Sequence, residues 1–293
     1  MYYVIRYRIK VVRENLNIVF PEKDKSEKRK IEQRFYRHFS DYIAETIKGL
    51  TMDDEELMKR MVILNPEFIN QYTNSGRSVF VYGAHFGNWE WFTVFPLNFT
   101  NCGVQAFYQQ QSNKLMNDIT VESRSRNKIV PVESHRGFRH MVECMKRGEN
   151  NVTLVLGDQS PHRGAKKYWT NFFGQDTAFL MGVETIAKRT NQVLVFPSYK
   201  SYSRGHYEVE MKLIEDDPAN VDGSILIDRF AAYLEDDIRS IPELWLWSHR
   251  RWKHKHENFP DEALKYASSD SHNYSQCPDG VGITDDSSKH HAI

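Results

Sequence analysis

One stretch of the chain decides the fold, and it reads Ser78-Val-Phe-Val-Tyr-Gly-Ala-His-Phe-Gly-Asn-Trp-Glu90. Its apolar run Val79–Tyr82 is short and rich in β-branched and aromatic residues, which predicts a buried strand. A glycine and an alanine end that strand, and Asn88 is a suitable N-cap for a helix that follows it. The pattern therefore places His85 at the carboxyl end of a strand and Glu90 in the first turn of the next helix. In open α/β sheets this edge binds ligands.

His85 and Glu90 have the residue types of an acid–base pair. A carboxylate can orient a histidine, and the histidine can then remove the proton from a hydroxyl nucleophile. A structural role would use the same residues, because a histidine before a helix often caps or packs and an acid in the first turn complements the helix dipole. The spacing alone leaves both interpretations open.

The spacing His85-x4-Glu90, filled by Phe-Gly-Asn-Trp, resembles the signature of the glycerolipid and lipid A acyltransferase superfamily. The filling is similar to the branch that adds late acyl chains to lipid A. The further segments that resemble this branch are Arg13–Glu22, Asp158–Gln159, Asn171–Gly174 and Trp247–Lys253. Together the resemblances span residues 1–257, and they imply a glycerolipid-acyltransferase-like α/β fold with a mostly parallel central sheet flanked by helices.

The rest of the sequence alternates strands and helices, which is typical of βαβ units around a largely parallel sheet. Strands are predicted at Val104–Tyr108, Ile129–Val132, Val152–Leu156, Gln192–Pro197 and His206–Leu213, the last antiparallel at an edge. Helices are predicted at 27–50, Asn113–Arg126, Gly137–Arg147, Leu180–Thr190 and Ser224–Ser240. Three parts are expected: a helical, membrane-facing segment 1–70, an α/β acyltransferase domain 71–257, and a disordered tail 258–293 with little to bury.

Two patterns near the N-terminus have a functional interpretation. Residues 1–20 mix apolar and basic side chains at helical spacing, as in a helix that lies on an anionic membrane. A surface helix that covers the domain would show the same pattern. The next helix has one apolar stripe, which predicts packing against the core. This stripe consists of Ile31, Phe35, Phe39, Ile43 and Ile47.

Composition excludes several classes of protein. The 293 residues include 39 basic and 39 acidic side chains, so no net charge favours nucleic acid as a partner. Cys102, Cys144 and Cys277 lie far apart, which argues against a disulfide scaffold and a zinc site. No metal ligands are predicted. No apolar run approaches the roughly 20 residues that span a membrane, and no signal peptide is visible. Late lipid A acyltransferases generally carry a hydrophobic N-terminal helix, so the resemblance implies peripheral attachment or an anchor in a segment missing from this chain.

A second polar cluster follows the strand Val152–Leu156. Asp158 and Gln159 hold the position on that strand that His85 holds on its own. Neighbouring parallel strands would bring these side chains to one crevice, and the resemblance implies that the Asp-Gln block lines the cleft for acceptor and acyl donor. The further candidates for substrate contact are Asn88, Arg124, Arg126, Arg163, Arg250 and Arg251. The block Glu243–Lys253 interleaves tryptophan with cations, which suits the headgroup level of a membrane.

The resemblance implies O-acyl transfer at a membrane surface. His85 would remove the proton from a hydroxyl of a phosphorylated lipid A precursor, while Glu90 would hold the imidazole. The alkoxide would then attack the thioester of an acyl carrier protein or coenzyme A, with no other cofactor. The expected location is the cytoplasmic face of the bacterial inner membrane. Acylation of a lysophospholipid, aminolipid or glycolipid is an alternative, and a non-catalytic lipid-binding module is another.

One position departs from the family. Late lipid A acyltransferases usually show tyrosine followed by arginine or lysine after the second strand, whereas this chain reads Tyr108-Gln109. Gln109 cannot form the charge-assisted hydrogen bond of a cation to phosphate. Either the acceptor lacks one phosphate, or another cation such as Arg124, Arg126 or Arg163 supplies the charge, or Gln109 only faces solvent.

Overall fold

A computed structural model describes residues 2, 6–109 and 128–255. Its strands are β1 (Met61–Ile63), β2 (Val79–Gly83), β3 (Gly103–Tyr108), β4 (Val130–Glu133), β5 (Asn151–Leu156), β6 (Lys167–Phe172), β7 (Gln175–Leu180), β8 (Val193–Ser203) and β9 (His206–Glu215). Seven of them form one sheet in the order β1-β9-β8-β2-β5-β3-β4, and β6 and β7 form a separate hairpin. Neighbours in the large sheet are parallel except for β8 and β9. The predicted mostly parallel α/β sheet is confirmed.

Helices flank the sheet. In the described part of the chain they are α1 (Ile9–Val19), α2 (Lys25–Gly49), α3 (Asp54–Arg60), α4 (Pro66–Asn74), α5 (Phe95–Asn98), α6 (Gly137–Lys146), α7 (Val183–Thr190) and α8 (Gly223–Ser240). α2 begins with a capping box, in which Asp24 and Glu27 each accept the other's backbone N–H. The predicted helix Asn113–Arg126 and the predicted tail 258–293 lie outside the described residues.

The sequence that decides the fold lies at the centre of the sheet. β2 is flanked by β5 and β8, and all five of its residues are buried. A parallel strand covered on both faces needs an unbroken apolar run, which explains why β2 does not alternate. Gly83 lies opposite Leu156 in the parallel register, so β2 and β5 end side by side.

Two strand predictions differ from the structure. β9 is antiparallel to β8 as predicted, but it is not an edge strand, because β1 pairs with its other side. β1 has only three residues, too few for a recognisable pattern. The predicted turn Asn171–Gly174 joins β6 to β7, a hairpin that was not predicted. The polar residues Gln175 and Asp176 at the start of β7 conceal its strand pattern.

The N-terminal helices share the core with the sheet. α1 buries Val12, Leu16 and Val19 and therefore covers the domain. The predicted stripe on α2 is buried only in its first half, where Ile31 and Phe35 lie in the core. Its second half stays open to solvent. Within the described residues, no helix is both long enough and apolar enough to cross a membrane.

Candidate active site

His85 and Asp158 follow the ends of neighbouring strands. The Gly157 N–H donates to the Gly83 carbonyl at 3.0 Å, which extends the pairing of β2 and β5 up to the turn. A Cβ at Gly157 would lie 2.1 Å from the ring of Tyr82, so only glycine fits there. The predicted meeting of His85 with the Asp158–Gln159 block in one crevice is therefore present.

Asp158 is the carboxylate that orients His85. His85 Nδ1 lies 2.7 Å from Asp158 Oδ1, and the backbone N–H of His85 donates to the same oxygen at 2.9 Å. Trp245 Nε1 donates to Oδ2 at 3.0 Å. Burial alone would raise the pKa of Asp158, but the charge of His85 and these hydrogen bonds lower it to about 2. An ionised Asp158 only accepts hydrogen bonds, so His85 Nδ1 carries a proton, and in the neutral form of the ring Nε2 carries the lone pair.

Gln159 contacts the other ring nitrogen of His85. Its Nε2 lies 3.2 Å from His85 Nε2. Because the tautomer assigned from the Asp158 contact leaves Nε2 as an acceptor, the Gln159 amide is the donor. A hydroxyl group that displaced this amide would meet a histidine nitrogen able to accept its proton.

The structure differs from the sequence analysis on the role of Glu90. The ring nitrogens of His85 contact Asp158 and Gln159, while Glu90 Oε1 accepts a hydrogen bond from Trp89 Nε1 at 3.1 Å. The Trp89 ring packs edge-on against His85, with centroids 5.1 Å apart. Glu90, five positions after His85, therefore does not orient the imidazole, because the residue that follows β5 by two positions brings another carboxylate to Nδ1.

Asn88 supports the turn that carries His85. The predicted N-cap is wrong, since the Asn88 side chain makes no cap hydrogen bond and a 3₁₀ helix, Trp89–Val94, follows it. Its Nδ2 instead donates to Glu45 Oε2 of α2 at 2.9 Å. Asn88 is fully buried, so the predicted substrate contact is not open to it.

In the block Glu243–Lys253 the first two tryptophans face the core of the protein and not its surface, although Arg250 and Lys253 are exposed. The Leu246 N–H donates to the His85 carbonyl at 3.1 Å, and Phe86 forms a bridge with Trp245. Trp245 and Trp247 are buried. Tryptophans that suit a membrane interface also suit a core in which their indole N–H finds an acceptor, as Trp245 does at Asp158.

α1 holds this block in place. Asn15 is buried, and its side-chain nitrogen donates to the Trp247 and His249 carbonyls, each at 2.8 Å. His249 Nε2 in turn accepts the Ser160 N–H at 3.0 Å. Burial lowers the pKa of His249 to about 4, so the ring is a neutral acceptor at neutral pH. These hydrogen bonds connect α1 to the residue that follows Gln159.

The candidate arginines are dispersed. Arg251 is buried, lies 4.3 Å over the Phe179 ring, and has no hydrogen-bond partner within the described residues. Burial lowers its pKa to about 10. The predicted phosphate contact at the surface is therefore wrong for Arg251. Arg163 and Arg250 are exposed, and Arg250 lies 3.9 Å from Glu14. Arg124 and Arg126 lie outside the described residues.

A small apolar cavity lies next to Trp89, whose ring packs against His85. It lies between the 3₁₀ helix Trp89–Val94 and the strands β3 and β5. Its apolar lining includes Trp89, Phe92, Phe95, Val104, Ala106 and Leu156. Glu90 also lines it, which puts the carboxylate at the cavity rather than on the imidazole. The cavity has a volume of about 30 Å³, room for a water molecule or two, so a hydrocarbon chain would enter only if the lining side chains moved apart.

Comparison with known proteins gives the family. The sequence matches the family described as bacterial lipid A biosynthesis acyltransferase over residues 1–254. The lipid A biosynthesis lauroyltransferase of Escherichia coli (strain K12) is 23% identical over 262 residues, which cover 87% of this chain and 82% of the relative. The lipid A biosynthesis palmitoleoyltransferase of the same strain and a lipid A biosynthesis acyltransferase of Shigella flexneri are each 22% identical over 259 residues, which cover 85% of this chain and 80% of each relative. The chain belongs to the bacterial lipid A biosynthesis acyltransferase family.

Proposed function

We propose that this acyltransferase moves a fatty acyl group from the thioester of an acyl carrier protein or coenzyme A to a hydroxyl of a lipid A precursor. The reaction would take place at the cytoplasmic face of the bacterial inner membrane. The observation that carries the proposal is the hydrogen bond between His85 Nδ1 and the buried Asp158 carboxylate. In the neutral ring it leaves Nε2 unprotonated, next to Trp89, whose ring also lines an apolar cavity.

The chemistry follows from this geometry. His85 Nε2 takes the proton of the acceptor hydroxyl while Asp158 stabilises the imidazolium. The hydroxyl oxygen forms a bond to the carbonyl carbon of the thioester, the carbon–sulfur bond breaks, and the departing thiolate takes the proton from His85. The apolar side chains around the cavity would hold the acyl chain once they have moved apart, with its carbonyl carbon near the nucleophile.

Acyl transfer by the purified chain tests the proposal. Wild-type protein, an acyl-acyl carrier protein and a lipid A precursor in detergent micelles should yield acylated lipid and free thiol in equal amounts. His85→Ala should abolish both products, while His206→Ala, at an exposed histidine, should not. Near-normal transfer by folded His85→Ala protein would refute the mechanism. Thiol release without acylated lipid would indicate hydrolysis instead, and no thiol release at all would favour a lipid-binding module.

Gln109 favours a second candidate acceptor, a membrane lipid with fewer phosphates. It lies exposed at the end of β3, where the family's usual cation would stand. A neutral amide gives a hydrogen bond about half as strong as a charge-assisted one. If the acceptor lacks a phosphate, Gln109→Arg should improve use of a bis-phosphorylated lipid without improving use of the natural one. Equal preference for mono- and bis-phosphorylated lipids in both proteins would exclude a phosphate role here.

A further inference from the structure

The second half of α2 exposes an apolar stripe. Ile43 and Ile47 on α2, and Leu50 directly after its end, form this stripe and are 37%, 64% and 45% exposed. The carboxylates on the same half of the helix point elsewhere: Asp41 binds Arg204, and Glu45 binds Asn88. The apolar stripe therefore presents large aliphatic side chains to solvent without a carboxylate among them. Surface aliphatic residues are common singly, but a contiguous group usually marks an interaction site.

A row of aromatic rings connects this helix to His85. The row consists of Tyr7, Phe39, Tyr42 and Trp89, with successive ring centroids 5.9, 6.2 and 4.4 Å apart. Trp89 then packs against His85 and also lines the apolar cavity. Phe39 and Tyr42 lie on the same half of α2 as the apolar stripe. An apolar path therefore leads along α2 to the base and to the cavity.

Basic residues stand at the outer end of the row. Tyr7 is flanked by Arg6 and Arg8, and Lys10 follows on the first turn of α1; all three cations are exposed. The Arg8 guanidinium lies 5.7 Å from the centre of the Tyr7 ring. Cations next to exposed apolar and aromatic side chains match the boundary of an anionic bilayer, where phosphates lie above hydrocarbon.

We infer that the apolar stripe inserts into the surface of an anionic phospholipid membrane, with the three N-terminal cations on the headgroups. A lipid acceptor then reaches His85 along the aromatic row without leaving the apolar phase. The passage of acceptor rests on the proposed function, whereas insertion of the stripe does not. The membrane contact is formed by the apolar stripe and by the residues around the start of α1. The buried tryptophans of the block Glu243–Lys253 take no part in it.

The test measures binding of the full chain to vesicles of phosphatidylglycerol and phosphatidylcholine, with no acyl donor or acceptor present. The stripe variant carries Ile43→Ser, Ile47→Ser and Leu50→Ser. Its control carries Met145→Ser, Leu213→Ser and Ile225→Ser, the same change at exposed aliphatic residues on α6, β9 and α8. A third variant carries Arg6→Gln, Arg8→Gln and Lys10→Gln. Circular dichroism and thermal midpoints confirm that each variant is folded.

The stripe variant should bind vesicles about tenfold more weakly or worse at both low and high salt, because the loss is hydrophobic. The control should bind as wild type does. The cation variant should lose affinity at low salt only, since salt screens surface charge. The inference is overturned if the stripe variant binds as wild type does, if wild type does not bind these vesicles, or if the substitutions abolish self-association of the chain and leave vesicle binding unchanged. Failure of the proposed function would appear separately, as absence of acyl transfer in micelles.

Discussion

In the proposed mechanism, Gln159 occupies the place that the acceptor hydroxyl needs. Its amide donates to His85 Nε2 at 3.2 Å, so the acceptor must displace it before the proton can move. In the proposed mechanism the displaced amide would donate to the oxygen that becomes negative as the tetrahedral intermediate forms. Gln159 would thus first give up its hydrogen bond to His85 when the acceptor binds, and would then donate one to the developing negative charge.

Substitution of Gln159 separates this role from simple obstruction. If the amide stabilises the oxyanion, Gln159→Ala should lower kcat by about 10²–10³-fold, the range for one such donor, with little change in KM. If it only blocks the base, the same variant should have a lower KM for acceptor and no loss of kcat. Steady-state kinetics with varied acceptor distinguish the two results.

At the scale of elements, α1 positions the site through a block of sequence more than two hundred residues away. Asn15 holds the Trp247 and His249 carbonyls, while Trp245 and His249 support Asp158 and Ser160. Removal of the Asn15 amide would leave two carbonyl groups without their donor in the interior. Each unsatisfied buried group costs about 1–3 kcal/mol.

Asn15→Ala should therefore lower the free energy of unfolding by about 2–4 kcal/mol and also lower kcat, because Asp158 loses a fixed partner. Asn17→Ala changes an exposed asparagine on the same helix and should alter neither quantity much. Urea denaturation and turnover of the two variants provide the comparison. Equal stability and equal kcat would show that α1 only covers the domain.

At the scale of the whole molecule, buried histidines make stability depend on pH. Burial lowers the pKa of His38 from its usual 6.5 to about 4, although the Gly87 carbonyl and Asp41 oppose the shift. The unfolded chain therefore binds a proton below about pH 6.5 that the folded chain does not take up until about pH 4. This contribution to stability is present at neutral pH and is lost as the pH falls through that window.

His38→Gln should remove this dependence. Between pH 7 and pH 5 wild type should lose about 2 kcal/mol more unfolding free energy than the variant. The comparison of two proteins matters because Asp237, whose pKa burial raises to about 6, changes stability in the opposite direction over part of the same range. His206→Gln, at an exposed histidine, is the control. Parallel curves for wild type and His38→Gln would contradict the prediction.

The sheet could be predicted from sequence because its signals are local. β2 is an apolar run that ends in glycine, and β5 is a largely apolar run that a glycine and Asp158 follow. This pattern can be recognised without knowing which strands lie beside them. The meeting of His85 with Asp158 followed from the same logic, since both residues leave adjacent parallel strands. The carboxylate that orients the imidazole could not be predicted in this way, because the choice between Asp158 and Glu90 depends on which of them lies nearer to His85 in the folded chain.

The environment of the block Glu243–Lys253 could not be predicted from the sequence either, because it too depends on contacts between distant parts of the chain. Tryptophan and arginine side by side suit both a membrane interface and a buried cation–π contact, and composition does not separate the two. The pairing of Phe86 with Trp245 and the burial of Trp245 and Trp247 show that these tryptophans are internal. The apolar residues of α2 recur at the same spacing along the whole helix. The sequence therefore does not show which half of the stripe other elements cover and which half is exposed.

The most direct test of the central claim compares Asp158→Asn with Glu90→Gln, both checked for thermal midpoint. Transfer of acyl groups in micelles and the tautomer of His85, read by nitrogen NMR, are measured for each. If Asp158 orients His85, Asp158→Asn should lose the Nδ1–H tautomer and its kcat should fall by about 10²–10⁴-fold. Glu90→Gln should keep that tautomer. Near wild-type kcat and an unchanged tautomer in folded Asp158→Asn protein, with both lost in Glu90→Gln, would contradict it.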